Sequence, residues 1–445
     1  MSSNKFEEFL GKVTSKVKSK EAHSLIRKEL SNHLQELAHS FQRKDNSKEE
    51  AEEKAIEEMG NPFTLGENLN QLHKPKMDWV LIILFGIIAV ISFLPLINGV
   101  YGLPNPLVKQ AIWYTLAVLT IITLLFFDYR KLKNLWMFFY GIGLFMHVYT
   151  YFFGIMVNGA KNWIAFPGIT LHVPMITLFL FILAWAGIFN RINEFDSRVK
   201  QVALFFLFWI PILIYLMLPE LMVGLIYLIC IVTMFAFSPV QKKSAIKIVT
   251  FNVGVGISVV GVIMISSFRR YVHDRLPFFL NPYSNPDEEG FIYNKIRETL
   301  SQAGWFGNGI NKEFNALPSV HTDFVFPYLV YSLGWAFGII FCLILSVFII
   351  RISLNAFKTR DLYGRLIVIG GTVLFTVPTI LNILMGLGLL PTLGAPLPFI
   401  SYGGSMLIVS AAMLGLTLSI YRRKDMVEAT VLTKYKKTID FDRRL

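Results

Sequence analysis

Apolar residues along this chain gather into ten long runs, each separated from the next by polar or turn-forming positions. The runs extend from about Trp79 to Ile97, Ile112 to Phe127, Leu135 to Phe153, Val173 to Phe189 and Val202 to Leu218. The others extend from about Leu221 to Phe237, Ile248 to Ser267, Phe324 to Ile350, Leu366 to Leu390 and Met406 to Ile420. A membrane-crossing helix needs roughly 20 mostly apolar residues. The pattern therefore predicts an all-α, polytopic membrane protein with about ten transmembrane helices.

Ahead of the runs the pattern changes from continuous to periodic. Ala22, Ile26, Leu30, Leu34, Leu37 and Phe41 recur every three or four positions, the stripe of an amphipathic helix. Ser47 and Glu50 have the spacing of a capping box. They open a second helix through Ala51, Ala55, Ile56 and Met59, which stops at Gly60-Asn61-Pro62. Phe63, Leu65, Leu69 and Leu72 predict a third, short helix. The expected organisation is a soluble helical domain over residues 1–77, a membrane domain over 78–424 and a tail over 425–445. The first apolar run lies too far into the chain, behind charged residues, for a cleavable signal peptide. The front domain is similar to the small helical prefix module found ahead of some bacterial permease-like proteins. That resemblance implies a docking or regulatory appendage.

Charge adds orientation. Basic residues follow every even-numbered run: Arg130, Lys131 and Lys133; Arg191, Arg198 and Lys200; Lys242, Lys243 and Lys247; Arg351, Lys358, Arg360 and Arg365; Arg422, Arg423 and Lys424. The alternate short connections nearly lack Lys and Arg, so both termini are expected on the cytoplasmic side. The net charge of +12 is then a topology signal and not a nucleic-acid footprint. Composition agrees, with 54% hydrophobic and 16% charged residues, against about 25% charged in soluble domains. Cys230 and Cys342 lie inside apolar runs and suggest neither a disulfide nor a metal site, and His23, His33 and His39 lack metal-ligand spacing.

The connection over residues 268–323 is far longer than the rest, and loops of that length inside compact bundles are usually functional or disordered. Phe278, Phe279, Pro282, Tyr283, Phe291 and Tyr293 within it argue for order and hence for function. Four stretches expected on the outer side stand out. They are Asn158-Gly159-Ala160-Lys161-Asn162-Trp163-Ile164, Arg275-Leu276-Pro277-Phe278-Phe279-Leu280-Asn281-Pro282, Leu317-Pro318-Ser319-Val320-His321-Thr322-Asp323-Phe324, and Gly394-Ala395-Pro396-Leu397-Pro398-Phe399-Ile400-Ser401-Tyr402-Gly403-Gly404-Ser405. Each has a plain structural explanation. Thr322 or Asp323 could cap the eighth helix. The Pro- and Gly-rich stretch could be a re-entrant turn, and Lys161 and Trp163 could be interface anchors. Ionisable residues near a membrane nonetheless favour an outward-facing polar site for a polar or lipid-linked substrate.

These residues resemble the SEDS proteins (shape, elongation, division and sporulation), the group of RodA, FtsW and SpoVE. The resemblance covers about Trp79 to Arg423. It is most specific at His321-Thr322-Asp323-Phe324 and at Pro396 to Ser405, with Asn382, Met385, Gly388, Pro391 and Gly394 extending the second match. Gly159 to Ile164 and Gly304-Trp305-Phe306-Gly307-Asn308-Gly309 add support. The resemblance implies a peptidoglycan glycosyltransferase of the bacterial cell membrane that polymerises undecaprenyl-linked lipid II at the outer face, in cell shape, division or sporulation. It also implies a class B penicillin-binding protein transpeptidase as partner, and no nucleic acid. Asp323 matches the family's catalytic aspartate, which would accept a proton from the attacking sugar hydroxyl. Arg275, at the family's loop arginine, and Lys161 would meet the leaving diphosphate, with a divalent cation such as Mg2+ as a further source of positive charge. Trp163, His321, Thr322, Pro398, Ser401, Tyr402, Gly403, Gly404 and Ser405 would line the substrate site. Gly403 and Gly404 are expected to allow close backbone approach or positive φ. The chain departs from the family where Gln-Pro-Ser-Glu and a later Lys would stand, reading His172-Val173-Pro174-Met175-Ile176. Pro318-Ser319 replaces Pro-Glu, and Tyr331-Ser332-Leu333-Gly334 replaces an acidic Gly-Glu-Glu. Two alternatives remain open, a non-catalytic scaffold or regulator of wall synthesis and a flippase for lipid-linked precursors.

Overall fold

The computed structural model describes residues 4–43, 47–98, 103–157, 160–166, 169–195, 197–218, 220–241, 245–246, 248–250, 252–256, 277–285, 290–310, 314 and 317–424. The chain divides into two compact units, Met1–Met77 with the chain from Tyr421 on, and Asp78–Ile420.

The first unit contains four helices, α1 (Asn4–Ser15), α2 (Lys20–Gln42), α3 (Lys48–Met59) and α4 (Pro62–Leu72). Ser47 and Glu50 close the capping box, each accepting from the other's backbone N–H at 3.3 and 3.1 Å. Asn61 caps α4, whose first residue is Pro62, one position earlier than the apolar pattern suggested. Proline suits that position because its missing N–H would have no helical partner there. The apolar stripe of α2 meets Phe6, Leu10 and Val13 of α1 and Leu65 and Leu69 of α4 in one core.

The second unit is a bundle of long helices. Among the described residues these are α5 (Trp79–Ile91), α6 (Pro106–Phe126), α7 (Trp136–Phe153), α8 (Val173–Asn190), α9 (Arg198–Met217), α10 (Leu221–Ala236), a short α11 (Phe291–Ser301), α12 (Val325–Lys358), α13 (Leu362–Gly386) and α14 (Gly404–Arg422). Seven described helical segments are long and apolar enough to cross a membrane, and α10 is a shorter apolar helix. Most of the seventh apolar run lies outside the described residues. α8, α13 and α14 are mostly buried and form the centre, whereas few residues of α6 and α9 are fully buried. In lipid such helices associate through packing and interhelical hydrogen bonds, because the surrounding tails are as apolar as the side chains. At one end of α12 the buried Asp78 caps α5 at Leu81 and receives Arg351 Nε at 2.9 and 3.0 Å and Asn355 Nδ2 at 3.0 Å.

Two features were not legible as secondary structure in the sequence. The connection between α7 and α8 forms an antiparallel sheet of β1 (Ile155–Val157), β2 (Ala160–Phe166) and β3 (Ile169–His172), in the order β1-β2-β3. It pairs Trp163 with His172 and Ile164 with Leu171. α12 is broken at Gly334, whose φ of 88° and ψ of 168° are open essentially to glycine alone. The Gly304–Gly309 stretch inserts at the break. Asn308 N and Gly309 N donate to the carbonyls of Tyr331 and Ser332 at 3.0 and 2.9 Å, while Trp335 N and Ala336 N donate to Gly304 and Trp305 at 3.0 and 3.2 Å. Irregular backbone at membrane depth is tolerated where protein satisfies its polar groups in this way. α11 packs through Ile296 onto Leu317, Phe324 and Met385, so this part of the long connection is ordered against α12 and α13.

Candidate functional site

The two most specific sequence motifs meet in space. Ser401 Oγ donates to the Thr322 carbonyl at 2.6 Å and accepts from Leu397 N at 2.8 Å. Tyr402 N donates to the His321 carbonyl at 2.7 Å, and the two rings meet edge to face at 6.0 Å. Asn382, fully buried on α13, donates from Nδ2 to the Asp323 carbonyl at 2.9 Å and to the Ala395 carbonyl at 2.5 Å. The backbone on both sides of Asp323 is thus fixed from two other elements.

The helix-capping explanation of Thr322 and Asp323 does not hold. The N-cap of α12 is Phe324, and no side chain caps that terminus. Thr322 turns back on the loop instead, with its N and Oγ1 donating to the Ser319 carbonyl at 2.9 and 3.3 Å. Ser319 adopts a left-handed φ of 51° to allow that turn. The Asp323 carboxylate accepts no hydrogen bond from a described residue and is half-buried, which pushes its pKa above the usual aspartate range. Burial lowers the pKa of His321.

The Pro396–Ser405 stretch is anchored from beneath by Phe399. Its φ of 66° is rare for a bulky residue. The ring stacks on Phe375 at 5.4 Å and meets Phe85 and Phe348 edge to face at 5.2 and 5.8 Å, while its carbonyl accepts from the Tyr114 hydroxyl. Pro398 is buried beside it. Of the close approach or positive φ expected at the two glycines, Gly403 shows the second, with a φ of 158° and nothing within 4 Å of an added Cβ, and Gly404 the first, where a Cβ would lie 2.3 Å from the Trp113 indole.

The sheet brings Lys161 and Trp163 to the same end of the bundle in different roles. Lys161 Nζ donates to the Tyr151 and Phe152 carbonyls at 2.8 and 3.2 Å, closing the C-terminus of α7. Trp163 packs its ring at 4.6 Å from that of His172. Ser405 Oγ accepts from His172 N at 2.9 Å and donates to the Thr170 carbonyl at 3.3 Å, which joins β3 to the start of α14. Arg275 lies outside the described residues. Glu220, between α9 and α10, meets His172 Nε2 at 2.9 Å and Asn162 Nδ2 at 2.5 Å. Sequence reasoning passed over it, although it is the acidic residue of a connection otherwise free of charge. Among the described residues no three His, Cys, Asp or Glu side chains converge on a cation position.

Comparison with known proteins shows the fold and the family. The solved structures it resembles include a chain of a peptidoglycan synthase complex characterised for structural coordination of polymerization and crosslinking. The TM-score is 0.66 at 24% identity, covering 79% of this chain and 99% of that one. Rod shape determining protein RodA of Thermus thermophilus aligns with a TM-score of 0.57 at 22% identity, covering 78% and 97%. Curated relatives include a probable peptidoglycan glycosyltransferase FtsW of Trichlorobacter lovleyi, 28% identical over 60% of this chain and 70% of the relative. The peptidoglycan glycosyltransferase RodA of Treponema pallidum is 24% identical over 71% and 89%. Residues 73–426 match the family model of FtsW, RodA and SpoVE, described as cell cycle protein. The chain belongs to the FtsW/RodA/SpoVE family of multi-pass membrane proteins.

Proposed function

We propose that this protein is a peptidoglycan glycosyltransferase that polymerises lipid II at the outer face of the membrane, with both termini in the cytoplasm. One observation carries the reading: Asp323 presents a half-buried carboxylate that neither caps α12 nor pairs with a described cation, on backbone fixed by Asn382 and Ser401. Chain extension requires a sugar hydroxyl to attack an anomeric carbon as a lipid diphosphate departs. Asp323 accepts the hydroxyl proton, and its raised pKa brings its basicity closer to the working pH than an exposed aspartate would have. Family membership supports the reaction class, and the synthase-complex neighbour supports a transpeptidase partner, expected to be a class B penicillin-binding protein. A divalent cation such as Mg2+, if bound with the substrate, would supply further positive charge for the departing diphosphate. The test is glycan-chain formation from lipid II by the purified protein, with and without such a transpeptidase. Chains longer than the input unit support the reading. Translocation of lipid II across vesicles without chain growth supports the flippase alternative instead.

A further inference from the structure

Glu220 and His172 form a polar pair that the proposed chemistry leaves unused. Their side chains are 19% and 16% exposed, so the pair is largely desolvated yet reachable. Glu220 Oε1 accepts from Asn162 Nδ2 at 2.5 Å, and Asn162, fully buried, also donates to the Leu218 carbonyl at 3.0 Å. Facing a carboxylate at 2.9 Å, His172 Nε2 must carry the hydrogen. The second ring nitrogen, Nδ1, has no hydrogen bond among the described residues. Trp163 packs on the ring, and Ser405 holds the backbone N–H at 2.9 Å. Ser405 and Ser401 end one short loop, and Ser401 is bonded to the residue preceding Asp323. His172 and Asp323 are thus fixed to two ends of the same motif.

A clamp for the hairpin explains little of this arrangement. Asn162 and Ser405 already join the sheet to its neighbours, and buried charge pairs contribute little net stability over apolar packing. A carboxylate that fixes one imidazole nitrogen while the other faces outward is the arrangement by which an enzyme orients a histidine. Of the two cations nominated for the leaving group, Lys161 is engaged with helix-end carbonyls.

We propose that His172, oriented by Glu220, donates from Nδ1 to the diphosphate of the lipid-linked substrate, an inference that rests on the glycosyl-transfer reading. Protonated, the ring offers a charge-assisted hydrogen bond to a phosphate oxygen. Neutral, with Nε2–H on Glu220, it turns a lone pair toward that oxygen, and binding weakens. Among the described residues the titratable groups around the ring are Glu220 ahead of α10 and His147 on α7, whose Nε2 meets Thr177 Oγ1 at 2.8 Å. β2 contributes Asn162 and Trp163 and α14 contributes Ser405, none of them charged.

Binding of undecaprenyl diphosphate to the full-length protein in nanodiscs, with undecaprenol as the uncharged control, tests this directly. His172→Gln should weaken diphosphate binding by about tenfold or more, as loss of one charge-assisted hydrogen bond implies, and leave undecaprenol binding unchanged. His172→Lys, which keeps a donor and a positive charge at the position, should retain most of the affinity. A His172→Gln protein that binds like wild type, or one that loses both ligands together with thermal stability, would overturn the inference. His172-dependent diphosphate binding in a protein that polymerises no lipid II would sink the proposed function and leave this inference standing.

Discussion

Replacing Gly334 with alanine tests the structural core of the site. Its φ and ψ lie where only glycine is comfortable, and forcing another residue there costs about 1–3 kcal/mol. A Cβ would sit 2.2 Å from the Trp305 carbonyl oxygen, a backbone atom that can yield only if the Gly304–Gly309 stretch moves. That movement strains four backbone hydrogen bonds across the break, those of Asn308, Gly309, Trp335 and Ala336. Each is worth about 0.5–1.5 kcal/mol net. Strain plus the loss of two of these bonds gives a destabilisation of roughly 2–6 kcal/mol. Thermal unfolding in detergent can be followed with a thiol-reactive dye, because Cys230 is buried and Cys342 half-buried. Gly86→Ala is the control, since a Cβ there meets nothing within 4 Å. Gly334→Ala unfolding at the same temperature as Gly86→Ala would refute the claim that glycine is required at the break.

Three other outcomes follow from the same geometry. Ser401→Ala leaves the buried Leu397 N–H and Thr322 carbonyl without this partner, so it should destabilise by about 1–3 kcal/mol in chemical unfolding and lower polymerisation more than Thr376→Ala, whose hydroxyl bonds within its own helix. Asp78→Ala strands the Arg351 guanidinium and should cost about 3–5 kcal/mol, while Asp78→Ala with Arg351→Met should recover part of the loss in the same unfolding assay. Burial raises the Asp323 pKa, so the base is lost to protonation at a higher pH than an exposed aspartate's: the acidic limb of kcat/KM should lie above the usual aspartate range. The linked stability has the opposite sense, present below the unfolded pKa and lost as pH rises through the folded one.

What the sequence made legible depended on the range of the interactions. Apolar runs and the Ser47–Glu50 box are local patterns, so α2, α3, α4 and most spans could be read directly, whereas α1 was missed although Phe6, Phe9, Leu10 and Val13 carry its buried face. The second span begins at Pro106, ahead of the first strongly apolar position, because proline starts a helix without losing a bond. The break at Gly334 was hidden because the residues around it are apolar on both sides, and its partner stretch lies some thirty positions earlier. β2 and β3 were too short, and too mixed in polarity, to separate from a loop. Motif matching located Asp323, Ser401 and Ser405. It could not show that Ser401 bonds to Thr322, 79 positions away, or that Ser405 bonds to the backbone of His172, 233 positions away. Nor could it show the helix-end carbonyls that Lys161 meets, which face it only once the chain reverses into β2.

The central claim is that Asp323 is the general base of a lipid II polymerase. The most direct measurement compares Asp323→Asn with wild type for glycan-chain formation from purified lipid II, with thermal unfolding recorded on the same samples. The carboxylate neither caps α12 nor takes a described hydrogen bond, so asparagine should leave the unfolding temperature nearly unchanged. Polymerisation should fall by about 10²- to 10⁴-fold, the usual contribution of a general base. An Asp323→Asn protein that folds like wild type and polymerises lipid II at the wild-type rate would contradict the account.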